Sequence, residues 1–430
     1  MQKLSIYDSM ALGLMTLALF IGAGNIIYPP FVGRITGSYY LVSAIGFKIS
    51  GVLLPMLAMI VLAEKKGDPL AVCAPMGKFW GTALASSFYL FLGVFFASPR
   101  TATVSYEMGL KNFTPNNNLW LCGYTIFFFG IVWFLARYPN RLLKTIGYIL
   151  APLKLLCLSC LAVYSVRSHV APVTNFPGTE SIKAFSYGLT NGYLTMDTLS
   201  ALTFGVIIIN SMKNRGITDK ESIRHYTKIA VLQAGAGLAA IYFCLVKIGA
   251  GYGQTGNFSN GAQLLSHFIV DNMGTPGTVF MAVLIYLACT VTAVGLTSST
   301  ATLFSKMSGI RYSTLLPVVV FISFLIANVG LTRLIGLSVP ALSVICPACT
   351  TLILLTLFRW PSSIIALPVW ISIGFSSYDA IVKPCGFTVA FLDSLPLSGL
   401  SLAWVFPTIL TALLLRIWHK SASVSRPISE

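Results

Sequence analysis

Residues 21–30 read IGAGNIIYPP and residues 190–205 read TNGYLTMDTLSALTFG; each sets polar and helix-breaking residues inside an otherwise apolar stretch. In the first, a helix ending near Ile21 leaves the carbonyls of its last turn, Ala18 to Ile21, without intrahelical partners. Such oxygens can coordinate a small cation. The Gly22-Ala23-Gly24 link lets backbone approach a ligand with no Cβ in the way. Asn25 reads as the N-cap of a second half-helix, and Pro29 and Pro30 cannot donate N–H groups back to the carbonyls of Asn25 and Ile26. The free N–H groups and dipole of that half-helix favour a carboxylate. One break thus offers cation ligands on one side and a carboxylate site on the other. The competing reading is a glycine-lined packing contact or a proline kink.

Four further groups bear on the same chemistry. Asp197 lies inside an apolar run, where a lone carboxylate needs a partner or a proton; it reads equally as N-cap of a second half-helix or as a ligand for a cation or substrate amine. Thr297, Ser298, Ser299 and Thr300 put four hydroxyls in a row on an apolar helix, suited to a hard cation or to bonding carbonyls and gluing helices together. Lys154, in ILAPLKLL, can fill a cation site with its own ammonium, pair with Asp197, or lose its proton on desolvation. Arg100 and Glu107, seven apart in PRTATVSYE, read as an outer gate or as interfacial snorkelling residues. Asp379 and Lys383 read as an ordinary i,i+4 surface pair.

The elements that must position these groups are membrane helices. The chain has 430 residues, 56% hydrophobic and only 9% charged, with a mean hydropathy of +0.82. A soluble domain carries about 25% charged residues. Apolar segments long enough to cross a bilayer fall at 9–35, 38–63, 79–109, 119–136, 141–166, 182–211, 224–250, 276–304, 312–329, 332–358, 361–381 and 400–418, giving twelve spans. No signal-peptide cleavage site follows the first. Segment 258–272 is amphipathic and too short to span, and reads as a helix lying over the outer face.

A net charge of +16 does not imply nucleic acid, because the basic residues alternate between loops. With the N-terminus inside, 18 of the 28 Lys and Arg fall on the inner side, 6 outside and 4 within spans. The positive-inside rule then places both termini in the cytoplasm. The nine cysteines lie mostly within spans, and Cys157-x-x-Cys160 and Cys346-Pro-Ala-Cys349 lack the context of redox motifs. All four histidines lie in loops or at helix ends, which argues against a haem or zinc site and against an embedded enzyme. No cofactor is implied.

Spans 1 and 6 both break at their middles and lie five helices apart, so their repeats have opposite orientation. Matching broken helices in two halves point to an inverted-repeat transporter with a midplane site. A channel would instead reuse a filter or charged ring in a symmetric assembly. The expected organisation is one all-α transmembrane domain over 1–430: repeat one at about 9–166, repeat two at about 182–358, appended helices at about 361–418 and a cytoplasmic tail at 419–430.

The segments GAGNIIYPP, PRTATVSYE, APLK, NGYLTMDT, TAVGLT and SVPALSVICP, in this order over about 330 residues, closely resemble the bacterial branched-chain amino acid:cation symporter family. That family is similar in architecture to the LeuT group. The resemblance implies uptake of leucine, isoleucine and valine across the cytoplasmic membrane, with sodium as co-substrate. It sets one sodium against the carbonyls of Ala18 and Ile21 and the hydroxyls of Thr297 and Ser298, and a second against Asn25 and the carbonyl of Phe20. The substrate carboxylate would meet Gly22, Ala23, Gly24 and Asn25, and its amine the break of span 6 at Tyr193 and Asp197. The alternative within transport is a proton-coupled or exchanging carrier of broader range in which Lys154 replaces the ion. The stretch FYLFLGVFF in span 3 is expected beside the side-chain pocket.

Overall fold

The computed structural model describes residues 4–114, 118–138, 152, 156, 181–253, 256–387 and 389–424. Among these residues it is helical throughout, and eight helices are long and apolar enough to cross a membrane. Lys154 and almost all of span 5 lie outside the described residues.

Span 1 is two helices, α1 (Ile6–Phe20) and α2 (Ala23–Thr36). Span 2 comprises α3 (Tyr40–Lys48) and α4 (Leu54–Glu64), joined through a π turn at Ile49–Leu53. Span 3 follows the same plan, with α5 (Lys78–Leu90), a π turn at Phe91–Phe95 and α6 (Ala97–Met108). Span 4 is α7 (Asn118–Ala136). Span 6 is again two helices, α8 (Ser181–Tyr193) and α9 (Asp197–Asn214), and span 7 is the continuous α10 (Lys220–Tyr252). Then come α11 (Gly261–Ser308), α12 (Tyr312–Ala327), α13 (Leu331–Leu357), α14 (Ser362–Ser377) and α15 (Val405–Val424).

The α11 helix turns at Gly274, whose φ of 62° an L side chain rarely adopts, with Pro276 just beyond. The turn separates a helix at 261–273 from span 8, in keeping with the amphipathic segment read from the sequence.

Burial sorts the spans. In the apolar window of Ser181–Asn214, 83% of residues are buried, against 28% for Leu119–Ala136. The broken span 6 is therefore central, while α7 turns Ile126, Phe127 and Phe134 outward, as a lipid-facing helix should. Each broken span is held by a helix of the other half: α8 packs chiefly on α3, and α2 on α10. Glycines make both crossings close. A Cβ on Gly33 would lie 1.9 Å from the Val246 carbonyl oxygen, and one on Gly188 would lie 2.0 Å from that of Ser43. Small residues at such contacts let membrane helices approach backbone to backbone.

Candidate substrate and ion site

Helix α1 stops at Phe20, and α2 starts at Ala23 with Gly22 as its N-cap. Asn25 is three residues into α2 rather than at the cap position expected from the sequence. Its Oδ1 reaches back to accept the Gly22 N–H at 3.0 Å, the returning arm of a capping box. This leaves the Asn25 amide N–H groups free to point elsewhere. They donate to Asp197 Oδ2 at 2.6 Å and to the Tyr242 hydroxyl.

Helix α8 ends at Tyr193, and α9 begins at Asp197. Between them Met196 takes a left-handed conformation, φ 65°, a strained choice for a non-glycine residue that tends to mark functional backbone. Asp197 is the first residue of α9 and is 2% exposed. Its Oδ2 also accepts from the Tyr242 hydroxyl of α10 at 2.5 Å. Asn25, Asp197 and Tyr242 therefore join the two breaks and span 7 through one carboxylate oxygen. Tyr193 is buried, and its carbonyl accepts from Met196 N–H at 3.0 Å and Cys346 Sγ at 3.7 Å. Cys346 and Cys349 are both buried free thiols.

The end of α1 faces α11. Thr292 donates to the Leu19 carbonyl at 3.2 Å and the Ile21 carbonyl at 3.4 Å, and a Cβ on Gly22 would meet its side chain at 2.9 Å. Gly295 faces Leu19. The numbering rises along α11 as it falls along α1, from Thr292 at Gly22 to Gly295 at Leu19, so the two run antiparallel. Thr297 donates to Ala293 and Val294 in its own helix, at 2.8 and 3.3 Å. Ser298 accepts from the Tyr312 hydroxyl at 3.1 Å. Ser299 and Thr300 reach the carbonyls of Thr203 and Tyr89 at 3.5 and 3.2 Å. Ala18, Phe20 and Ile21 are buried beside this face.

Arg100 and Glu107 are not partners. Glu107 pairs with Lys111 at 3.7 Å, whereas Arg100 turns to the breaks. Its Nη1 donates to the Tyr28 hydroxyl at 3.1 Å and to the Leu194 carbonyl at 3.0 Å. The expected Asp379–Lys383 pair is also replaced: Lys383 meets Asp393 at 2.8 Å, and Asp379 accepts from the Ala403 N–H at 3.3 Å. The loop after span 11 folds back and supplies nearer partners than the next helical turn does.

Several cavities flank the breaks. One of about 250 Å³ lies on the side toward which α2 runs, lined mainly by Ile27, Tyr28, Phe31, Leu194, Ile335 and Val339. Another of about 470 Å³ opens on the opposite side, past Ser298 and Ser299 to Asp68 and Lys306. Asp68 and Lys306 pair across its mouth at 3.7 Å, and Asp8 pairs with Arg215 nearby. The FYLFLGVFF stretch does not line the first cavity. Phe88 and Leu92 are buried in the core, and Gly93 lies against Thr300 and accepts from Ser323.

A family described as branched-chain amino acid transport protein matches residues 5–422. The chain belongs to that family. It is 40% identical over 423 residues to the branched-chain amino acid permease BrnQ of Salmonella typhimurium, covering 96% of each chain. It is also 40% identical over 430 residues to the branched-chain amino acid transport system 3 carrier protein of Pseudomonas aeruginosa, covering 97% of this chain and 98% of that one. Among solved structures, MhsT in complex with L-phenylalanine aligns with a TM-score of 0.62 at 16% identity, over 94% of this chain and 97% of that chain. The nucleobase-cation-symport transporter Mhp1 aligns at 0.60 and 12% identity, over 98% and 94%. The fold is thus the LeuT type, and the protein is a multi-pass membrane transporter rather than an enzyme.

Two residues of this transporter's site escape sequence reasoning. Tyr242 and Thr292 sit in long helices with no break or run of polar residues at their own positions to mark them, and only the pairing of helices tells which way they point. A faint signal exists for Thr292, which shares a helical face with Gly295 and Ser299 at i, i+3 and i+7.

Proposed function

We propose that this transporter imports leucine, isoleucine and valine across the cytoplasmic membrane by sodium-coupled symport, with both termini in the cytoplasm. The relatives named for branched-chain amino acid transport support the substrate class. The single observation that carries the mechanism is the meeting of the α1 terminus with α11, where last-turn carbonyls and a hydroxyl-bearing helix face each other at Ile21 and Thr292. Sodium would take the carbonyls of Ala18 and Ile21 with the hydroxyl oxygens of Thr297 and Ser298; Thr297 donates its proton to its own helix and keeps its lone pairs for the ion, whereas Ser298 shares its oxygen with the Tyr312 hydroxyl. A second sodium would sit by Asn25 and the Phe20 carbonyl.

The substrate carboxylate would lie along Gly22 to Asn25, at the N-terminus of α2. Its amine would lie toward Tyr193 and Asp197. The branched side chain would lie against apolar surface of the kind that makes up most of the first cavity, whose other lining residues, Asn191, Ser259, Asn260 and Thr332 among them, are uncharged. Binding at both breaks gives sodium and substrate a shared element, since ordering the Ile21–Gly22 link for one ligand prepares it for the other. The cavities on either side of the site, one bordered by the Asp68–Lys306 pair, suit alternating access by rocking of the helices that carry the breaks.

Leucine uptake into proteoliposomes under an imposed sodium gradient tests this. Uptake should follow that gradient and be competed by isoleucine and valine. Full uptake under a pH gradient alone, without sodium or lithium, would favour the carrier in which the Lys154 ammonium stands in for the ion.

A further inference from the structure

Arg100 is 3% exposed, and its guanidinium lies between the two breaks. A Cβ on Gly24 would fall 2.5 Å from Nη2 and 3.2 Å from the Thr195 Cα. Nη1 bonds Tyr28 and the Leu194 carbonyl, and the guanidinium also sits over the Tyr28 ring, 5.3 Å from its centroid. Nε is buried without a hydrogen-bond partner. Among the described residues no carboxylate forms an ion pair with Arg100. The nearby acid, Asp197, has its Oδ2 occupied by Asn25 and Tyr242.

A buried guanidinium whose hydrogen-bond partners are all neutral is costly to keep in a membrane protein, even with the Asp197 carboxylate within electrostatic reach. It also presents a planar fork matched to a carboxylate. We propose that Arg100 is the direct receptor of the substrate carboxylate, completing its charge balance with an anion that arrives with the amino acid. This rests on the transport reading above and adds a charged contact from span 3 to the α2 N-terminus. Gly24 has a defined role under this proposal: it keeps the α2 backbone clear so that the guanidinium and the carboxylate can both lie against it. Tyr28 and Leu194 hold the guanidinium beside Gly24. The Leu194 carbonyl belongs to the break of span 6, so rotation of Arg100 toward substrate would alter both breaks together.

The test compares two ligands differing only at the carboxyl group, leucine and leucinamide, by competition binding to the purified wild-type, R100Q and R100K proteins. R100Q should weaken leucine at least tenfold and change leucinamide less than threefold, so that discrimination between them collapses. R100K, which keeps the charge without the fork, should give an intermediate ratio, and it carries the test if R100Q does not yield a monodisperse protein. Equal weakening of both ligands would make Arg100 a structural element of the site and overturn the proposal, as would unchanged leucine affinity. Chloride is the other anion that could satisfy the guanidinium. Leucine affinity that falls when gluconate replaces chloride, and loses this dependence in R100Q, would assign the site to chloride and also overturn the proposal. A wild-type protein that binds no branched-chain amino acid contradicts the transport reading instead, and the identity of the anion falls with it.

Discussion

Asn25 of the first broken span donates to Asp197 of the second at 2.6 Å, and Tyr242 donates to the same oxygen at 2.5 Å. The bond links residues 172 positions apart in the chain. It fixes the two breaks against one another through a carboxylate that would otherwise be buried alone. A carboxylate held this way is both a structural tie and a group that substrate or ion can recruit.

Removing the tie and keeping its shape should have different effects. Asp197→Ala strands the Asn25 amide and the Tyr242 hydroxyl, at about 1–3 kcal/mol for each buried group left unsatisfied. It should lower the thermal unfolding midpoint in detergent. Asp197→Asn preserves the volume and one acceptor oxygen, so the protein should fold but lose leucine uptake. Midpoints read by fluorescence-detected size exclusion separate the two effects, and equal stability of both variants with the wild type would contradict the assignment.

The Gly24→Val variant should reach the membrane in normal amount and fail to bind leucine. Its Cβ would press on the Arg100 guanidinium and the Thr195 backbone, a clash confined to the site. Gly249→Leu should instead fail to accumulate, because a Cβ there lies 1.8 Å from the Pro30 carbonyl oxygen and would part α2 from α10. Immunoblots of membrane fractions, with binding measured on whatever accumulates, check both.

Lysine and glutamate should compete with leucine at least a hundredfold less well than isoleucine or valine does. Ile27, Phe31, Leu194, Ile335 and Val339 offer no charge partner, and desolvating an unpaired side-chain charge costs several kcal/mol. Competition by either charged amino acid at concentrations similar to leucine would show that the side chain lies elsewhere.

The position of both breaks, the end of α1 at the Ile21 turn and the separate helix at 261–273 are legible in the sequence. Glycine, proline and isolated polar residues leave a mark wherever they interrupt an apolar run. The roles of the side chains at the breaks are less legible. Asn25 has the right residue type for a cap, but only the observed backbone shows that the cap is Gly22 and that Asn25 reaches back to it. Arg100 and Glu107 share a helical face by spacing within one continuous helix, yet seven residues set them about 10 Å apart along its axis; Arg100 stands level with the breaks, and Lys111 offers Glu107 a nearer partner. A π turn is an i→i+5 bond, seen here from Phe96 N–H to the Phe91 carbonyl at 2.9 Å, and it has no compositional mark. Tyr242 and Thr292 depend on contacts between helices far apart in the chain.

The hydroxyls of α11 should affect the ion before they affect the substrate. Thr297→Ala and Ser298→Ala should raise the sodium concentration for half-maximal uptake several-fold, with leucine affinity restored at saturating sodium. Thr292→Ala should act in the same direction through loss of its bonds to Leu19 and Ile21. Variants that change leucine affinity equally at all sodium concentrations would place these hydroxyls on the substrate.

Equilibrium leucine binding to the purified protein, titrated at a series of sodium concentrations at fixed ionic strength and pH, tests the central claim most directly because no gradient or leak enters. Linkage requires that if sodium tightens leucine, leucine tightens sodium by the same factor. The account predicts that leucine affinity rises with sodium to a plateau, and that Thr297→Ala moves the curve to higher sodium without lowering the plateau. Leucine affinity indifferent to sodium from zero to saturation, and following pH instead, would contradict it.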